Sequence, residues 1–507
     1  MEVVLLYLLL FSFSLLFLIL FNLRSRINKK NKYYSGGARL PPGPWQLPII
    51  GSMHHLIGSL PHRRLTELAK IHGPLMHLKF GEVSTIVVSS REAACEMMKT
   101  HDLCFSDRPI SSSVEILSYG GKDLVFSRYG EYWRQLRKLS VVELLSQKRV
   151  QSFRSIREEE VCKLIQSIHS QSSSSLVNIS EKLYLLTNDV TTRAIIGNRC
   201  KDQKTFLMTL DEAIEATAGF NLADLYPSLN WLTSITSMTR RLKRNQCKLH
   251  ELFLSIVRDH LENKKEEEEE DLLDVLLRIR DDGSLDIPIS IDGIKGVIFN
   301  LFGAGSETSS NTMEWTMSEL MRNPEVMNKV QAEVREHLRG KTKVTEEDIS
   351  GLQYLKLVIK ETLRMHAPVP LLIPRECRED CELMGYQVPA GMRVLVNAWS
   401  IGRNPEYWDE PLVFKPERFE GSSVNFNGSC FEFIPFGAGR RMCPGISFGV
   451  ANMELALALL LYHFDWKLPC GVEPHDLDMS ECFGITARRK SPLLLWAIPR
   501  IPCPSTN

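Results

Sequence analysis

No Cys-x-x-Cys pair occurs anywhere in the chain, although it holds 12 cysteines among 507 residues. That absence excludes zinc-ribbon, thioredoxin-like and covalently attached haem chemistry, all of which need two thiols three positions apart. Cys377-x-x-x-Cys381 has a different spacing and belongs to no zinc pattern. Gly-x-Gly-x-x-Gly is missing as well: Gly437-x-Gly439 comes nearest, but Met442 stands where a third glycine is needed. Without a dinucleotide fingerprint, the chain carries no evident nicotinamide or flavin site. Net charge is absent, with 61 basic and 61 acidic residues, which removes the electrostatic footprint of a nucleic-acid binder. After residue 45 no Gly/Ser- or Pro-rich segment divides the chain, so one large unit is expected. At 44% hydrophobic and 24% charged, that unit can bury a full core.

What is present begins with Val3–Phe21, a run of 19 residues without a charge. At about 1.5 Å per residue it crosses most of a bilayer's apolar core. Arg24, Arg26, Lys29, Lys30 and Lys32 follow it. A secretory signal would carry its positive charges first and end in small residues, so an uncleaved anchor is the expectation. By the positive-inside rule the bulk of the chain then lies in the cytosol, where thiols stay reduced and an even cysteine count implies no disulfides. Pro41-Pro42-Gly43-Pro44 cannot continue a helix. The expected organisation is a transmembrane signal anchor over 1–23, a basic and proline-rich hinge over 24–45, and a catalytic domain over 46–507.

The stretch Pro435-Phe436-Gly437-Ala438-Gly439-Arg440-Arg441-Met442-Cys443-Pro444-Gly445 leads into an almost wholly apolar run from Ile446 to Phe464. Pro444 suits a first helical position, which places Cys443 at a helix N-terminus. The helix dipole, with Arg440 and Arg441, is expected to lower the thiol pKa, while Gly437, Gly439 and Gly445 allow tight turns and close approach. Such a sulfur suits a metal, although a lone cysteine is more often a small buried hydrophobe.

The surrounding pattern decides between them. Phe436-x-x-Gly439-x-Arg441-x-Cys443-x-Gly445 resembles, at every position, the haem-thiolate signature of the cytochrome P-450 family. The resemblance implies a mainly α fold with small β-sheets (α+β), the cytochrome P-450 fold. It also implies haem b held by Cys443 as axial ligand, the thiolate pushing electron density toward bound oxygen. Phe436 would shield the sulfur from water, and backbone N–H groups of the loop would tune its charge.

Further segments carry the same resemblance. Trp133 and Arg137, four apart on one helix face, could be an ordinary aromatic–cation pair. The resemblance implies that they bind a haem propionate, together with Arg375 and Arg441. Gly303-Ala304-Gly305-Ser306-Glu307-Thr308 lies within a helix expected over 294–321, and two glycines there cost about 1 kcal/mol each unless a flat ligand approaches or a turn distorts. By itself Thr308 would bond the carbonyl four residues back, with Glu307 facing solvent. Resemblance implies instead an oxygen-activating motif, with Glu307 and Thr308 organising water and relaying protons beside Ala304. Glu361-x-x-Arg364 and the later Arg418 resemble the family's buried ion network behind the haem.

Two hairpins are expected, one turning at Gly81-Glu82 between Leu75 and Ser89, the other at Pro389-Ala390-Gly391 between Leu383 and Trp399. Lys264–Asp271, with five consecutive glutamates, reads as a solvated connection, as does Ser172–Ser175. The resemblance extends over essentially the whole chain and is strongest to plant microsomal enzymes of specialised metabolism that oxidise terpenoids. It implies NADPH-cytochrome P-450 reductase as electron donor, cytochrome b5 as a further candidate, and an endoplasmic reticulum membrane location with a single span. Substrate-facing positions map to Val114, Ile298, Leu301, Val369, Leu372 and Ile485, which suit an uncharged, largely hydrocarbon molecule. A phenolic such as a flavonoid or lignan is the runner-up. A non-oxygenating haem-thiolate isomerase or dehydratase would not need Glu307-Thr308, and a haem carrier would oxidise nothing.

Overall fold

The computed structural model describes residues 39–502, apart from residues 172–174, 201–202, 217–221, 230–236, 264–269, 284, 342 and 483. The expected anchor, the basic part of the hinge and most of the acidic run lie outside the described residues.

Helices dominate, and local chemistry sets their ends. Helix α1 (Glu131–Leu139) follows the extended Gly130. Helix α2 (Ile179–Ile196) starts where the Asn178 side chain accepts from the Glu181 N–H, and it ends at Gly197, whose φ of 73° is left-handed. The longest, α3 (Ile291–Arg322), is capped by Ser290, which accepts from the Gly293 N–H. Pro324, at the first position of the next helix, lies just beyond its end. Helix α4 (Gln353–Met365) and helix α5 (Ile446–His463) complete the frame around the site. Helix α5 is apolar on every side because it is sunk in the core. Among the described residues it alone is long and apolar enough to cross a membrane, yet 67% of that stretch is buried in protein.

The strands form small sheets. Strands β1 (Leu75–Phe80) and β2 (Val83–Val88) make the expected hairpin, with Gly81 at φ 61° in its turn. After β3 (Val177–Asn178) come β4 (Arg375–Glu376), β5 (Cys381–Leu383), β6 (Tyr386–Val388) and β7 (Arg393–Val396). The main sheet runs β1-β2-β7-β4, with β7 parallel to β2. A second sheet joins β3 to β9 (Leu494–Pro499) and β9 to β8 (Phe464–Lys467).

The second expected hairpin is not there. Its turn lies earlier, at Met384-Gly385, both with positive φ (52° and 77°), and it joins β5 to β6. Such a pair of left-handed residues matches the twist of a tight hairpin, whereas Pro389 lacks the N–H that a continued ladder needs. Pro389-Ala390-Gly391 instead releases the chain, so that β7 pairs with β2 and β4.

The paired glycines of α3 also meet neighbouring segments of the fold. A Cβ at Gly305 would fall 2.8 Å from Thr191 Oγ1 on α2, and one at Gly303 would fall 3.1 Å from Ile214 Cδ1. These glycines admit neighbouring helices; α3 stays regular through them.

Candidate active site

The cysteine loop is built by two left-handed glycines. Gly437 (φ 71°) and Gly439 (φ 67°) turn the chain, and a Cβ on Gly439 would sit 2.4 Å from Asp102 Oδ1 and 2.5 Å from the Met98 carbonyl, so only glycine fits. The loop closes where the Cys443 N–H donates to the Phe436 carbonyl at 3.0 Å. Helix α5 then begins at Ile446 with Gly445 as its cap, so Pro444 precedes the helix and does not open it. Phe436, Gly437, Arg441, Cys443 and Gly445 all line a cavity of about 320 Å³.

The thiol's surroundings differ from the sequence expectation. Burial raises its pKa, opposed by the Gly445 N–H and by the charge of Arg137. Arg440 is exposed and pairs with Asp102 at 3.4 Å. Arg441 turns its Nε to the Ser106 carbonyl (2.7 Å) and its Nη2 to the Ser127 carbonyl (2.6 Å), and stacks 4.0 Å over the Trp133 ring. Both arginines have other partners, so the groups nearest the sulfur that favour its anionic form are the Gly445 N–H and Arg137.

The same cavity collects four guanidinium groups, Arg108, Arg137, Arg375 and Arg441. Among the described residues only Arg375 has a carboxylate in contact, Asp102 at 3.2 Å. Arg441 Nη1 is buried and finds no hydrogen-bond partner among the described residues. Burial, then the neighbouring Arg375 charge, pushes the Arg441 pKa down to about 9. Arg108 is also driven down, by burial and then by Arg441 and Arg375. Buried cations that repel one another and leave a donor unused fit a buried dianion such as the two propionates of haem. The donor set therefore suits haem: a soft sulfur for iron, apolar walls for the ring, and guanidiniums for the carboxylates.

Arg108 was missed as a site residue because no motif marks it. It is held by three carbonyls, those of Val125 (3.1 Å), Ile373 (2.6 Å) and Pro374 (2.8 Å). Trp133 forms part of the wall with its indole N–H committed to the Leu124 carbonyl at 3.0 Å.

On α3, Ala304, Glu307 and Thr308 line the cavity. The Thr308 hydroxyl donates to the Ala304 carbonyl at 2.7 Å, the backbone bond its helical position allows. Glu307 does not face solvent: it is buried and pairs with Arg488 Nε at 2.5 Å. The Thr486 hydroxyl also donates to it, and Arg488 reaches on to Asp211 at 3.3 Å. Nothing in the sequence linked Glu307 to Arg488, since the two lie on segments with no shared motif.

Leu301, Val369, Leu372 and Ile485 line the cavity, among largely apolar neighbours such as Ile195, Ile214 and Phe299. Val114 and Ile298 do not: both are buried elsewhere, Ile298 in the main core. Behind the cysteine loop, Glu361 is gripped by Arg364 through bonds of 2.7 and 2.8 Å and by Arg418 at 3.0 Å. Arg364 also donates to the carbonyls of Gly402 (2.6 Å) and Pro411 (2.8 Å), so this network is saturated.

Comparison with known proteins agrees with this geometry. The family model described as Cytochrome P450 matches residues 41–496. Desmethyl-deoxy-podophyllotoxin synthase of Sinopodophyllum hexandrum is 52% identical over 492 residues, 96% of each chain. Premnaspirodiene oxygenase of Hyoscyamus muticus is 51% identical over 474 residues, covering 92% of this chain and 94% of the relative. Germacrene A hydroxylase of Barnadesia spinosa is 51% identical over 454 residues, 90% of this chain and 91% of that one. Among solved structures, a zebra fish cytochrome P450 with progesterone superposes with a TM-score of 0.75 at 27% identity, over 87% of this chain and 99% of the other. With the cysteine loop, the unpaired guanidiniums and the helical frame all in place, the chain belongs to the cytochrome P450 family, oxidoreductases that bind haem through a cysteine thiolate.

Proposed function

We propose that this P450 monooxygenase hydroxylates an apolar plant terpenoid, drawing electrons from NADPH through a reductase on the same endoplasmic reticulum membrane, to which an N-terminal span anchors it. The observation that carries the reading is one cavity in which the Cys443 thiol and the Ala304–Thr308 turn meet walls that are mostly apolar, with hydroxyls such as Thr191, Thr312 and Thr486 but no charged side chain beyond Glu307 and the arginines. Relatives named premnaspirodiene oxygenase and germacrene A hydroxylase support the terpenoid class.

Haem, held at Cys443, supplies the activation of dioxygen when two electrons are delivered. The chain's own residues do the rest. Arg108, Arg137, Arg375 and Arg441 would hold the haem carboxylates by charge, in the part of the cavity that Trp133 also lines. Leu301, Val369, Leu372 and Ile485 exclude water and present a hydrocarbon face to the substrate. The Thr308 hydroxyl exchanges its Ala304 carbonyl for water in the cavity, and Glu307 passes protons inward from the Arg488–Asp211 side. Glu361, Arg364 and Arg418 fix the segments behind the cysteine loop. Electrons arrive on the face bearing exposed Lys138 and Arg440, where an acidic reductase or cytochrome b5 surface would dock.

The test is co-expression with a reductase in microsomes, followed by screening of terpene and phenolic panels for Soret shifts and products. Hydroxylated terpenes formed only with NADPH are expected. Products from phenolics alone would overturn the terpenoid class, and turnover without NADPH would overturn monooxygenation.

A further inference from the structure

Away from the haem cavity, His101, Cys104 and Cys381 bring a ring nitrogen and two sulfurs within 4.8 Å of one another. His101 follows the helical turn Glu96–Thr100, and its N–H donates to the Glu96 carbonyl at 2.8 Å. Cys381 opens β5. The two segments are fastened by backbone bonds: Arg378 N–H to the Cys104 carbonyl (2.8 Å) and Glu376 N–H to the Asp107 carbonyl (2.9 Å). The Met384 N–H adds a bond to the Glu96 carboxylate at 2.9 Å. These positions are thus set by the fold rather than by mobile side chains.

The polar neighbours of the trio include carboxylates. Cys104 Sγ lies 3.3 Å from Glu379 Oε1, and His101 Nε2 lies 3.9 Å from Glu96 Oε1. Burial, then the facing Cys104, pushes the Cys381 thiol up to about 12. Burial and the Glu379 bond raise Cys104 in the same direction. Cys377 is turned away, donating to the carbonyls of Glu379 (3.0 Å) and Val388 (3.6 Å). Cys381 thus meets His101-x-x-Cys104 in space, a grouping that no linear zinc pattern could show.

We propose that His101, Cys104 and Cys381 form a structural zinc site, with the exposed Glu379, whose carboxylate already touches Cys104, swinging in as the fourth ligand. Two thiolates, an imidazole and a carboxylate are a tetrahedral set for Zn²⁺, and soft sulfur disfavours Mg²⁺ and Ca²⁺. Zn–S bonds of about 2.3 Å and Zn–N of about 2.0 Å set ligand atoms about 3.3–3.8 Å apart, so small side-chain rotations draw the trio in. On binding, each thiol gives its proton to solvent and each sulfur gives a lone pair to the metal. Two thiolates cancel the zinc charge, the partly solvated Glu379 carboxylate leaves the set with one net negative charge, and no oxidant is consumed. Asp102, between two of the ligands, holds Arg375 at 3.2 Å and the Arg440 N–H at 3.0 Å. Zinc would therefore clasp the segment that supports the cavity's arginines.

The test uses tag-free, full-length, haem-loaded protein, equilibrated with zinc and desalted, with zinc and iron measured by elemental mass spectrometry. Equimolar zinc and iron are expected in the wild type, and loss of the zinc in C104S/C381S and in H101A with the carbon monoxide spectrum unchanged. Alkylation of Cys104 and Cys381, read by peptide mass spectrometry, should be blocked by zinc and restored by a chelator. Equal zinc in wild type and C104S/C381S would overturn the site, as would a Cys104–Cys381 cross-link in the isolated protein. If the variants fail to take up haem, wild-type thiols that zinc leaves open to alkylation overturn it alone.

Discussion

Two groups of buried charge flank the cysteine loop, and they are built on opposite plans. Behind the loop, Glu361 is shared by Arg364 and Arg418, and Arg364 spends its remaining donors on backbone carbonyls. Facing the cavity, Arg108, Arg137 and Arg441 have no carboxylate in contact among the described residues, and Arg441 keeps a buried donor unused. Burial of ions is tolerated only when charge and hydrogen bonds are both satisfied. The first group meets that condition within the protein and is architecture. The second meets it only with an anion supplied from outside, and is a binding site.

The sharpest way to break this comparison is Glu361→Gln. It strands two buried guanidiniums at a cost of about 3–5 kcal/mol, so thermal unfolding should fall steeply and haem content with it. Unfolding at the wild-type temperature would show that the network is not structural. Arg441→Leu should act in the opposite sense. A charge-assisted bond to haem worth about 1.5–3 kcal/mol is lost, so haem passes faster to an acceptor protein, while the haem-free protein loses less stability than the haem-loaded one, because relief of the repulsion with Arg375 offsets part of the lost bonds to the Ser106 and Ser127 carbonyls. Equal destabilisation with and without haem would put Arg441 in the architectural class.

Thr308→Ala separates binding from chemistry. Haem content and the carbon monoxide spectrum should be retained, while product formed per NADPH falls and peroxide rises; unchanged coupling would remove Thr308 from proton delivery. The smallest effect concerns a third, compensated group. Burial raises the Glu481 pKa, but His62 (3.0 Å) and Arg63 (2.8 Å) outweigh it and bring the carboxyl down to about 2. A depressed carboxyl stabilises the fold above its unfolded value and loses that contribution as the proton binds. Stability should therefore decline between pH 4.5 and about 2. Glu481→Gln should flatten this limb by about 1–2 kcal/mol, Arg63 being half exposed to screening solvent. An unchanged acid limb in chemical denaturation would contradict the pairing.

Legibility followed the range of the interactions. The Gly81-Glu82 hairpin and the cysteine loop are local, and both stand where the residues pointed. The Pro389-Ala390-Gly391 hairpin failed because Met384-Gly385 had already turned the chain and β7 found a distant partner. Gly303 and Gly305 announced close approach, but only the fold shows that Thr191 and Ile214 are what approaches. Arg108, fixed by three carbonyls, and the Glu307–Arg488 pair depend on contacts between remote segments and left no pattern to read. The arginines at 440 and 441 looked alike beside the cysteine, yet one faces solvent and the other the Trp133 ring.

The central claim is that the buried Cys443 sulfur, at the centre of the cavity's glycine-rich loop, is the anionic ligand of haem iron. The ferrous carbon monoxide spectrum reports that ligand directly. A strongly red-shifted Soret band in the wild type, abolished in Cys443→Ala, is the predicted result. A band at the position given by a neutral or nitrogen ligand in freshly reduced wild-type protein would contradict it.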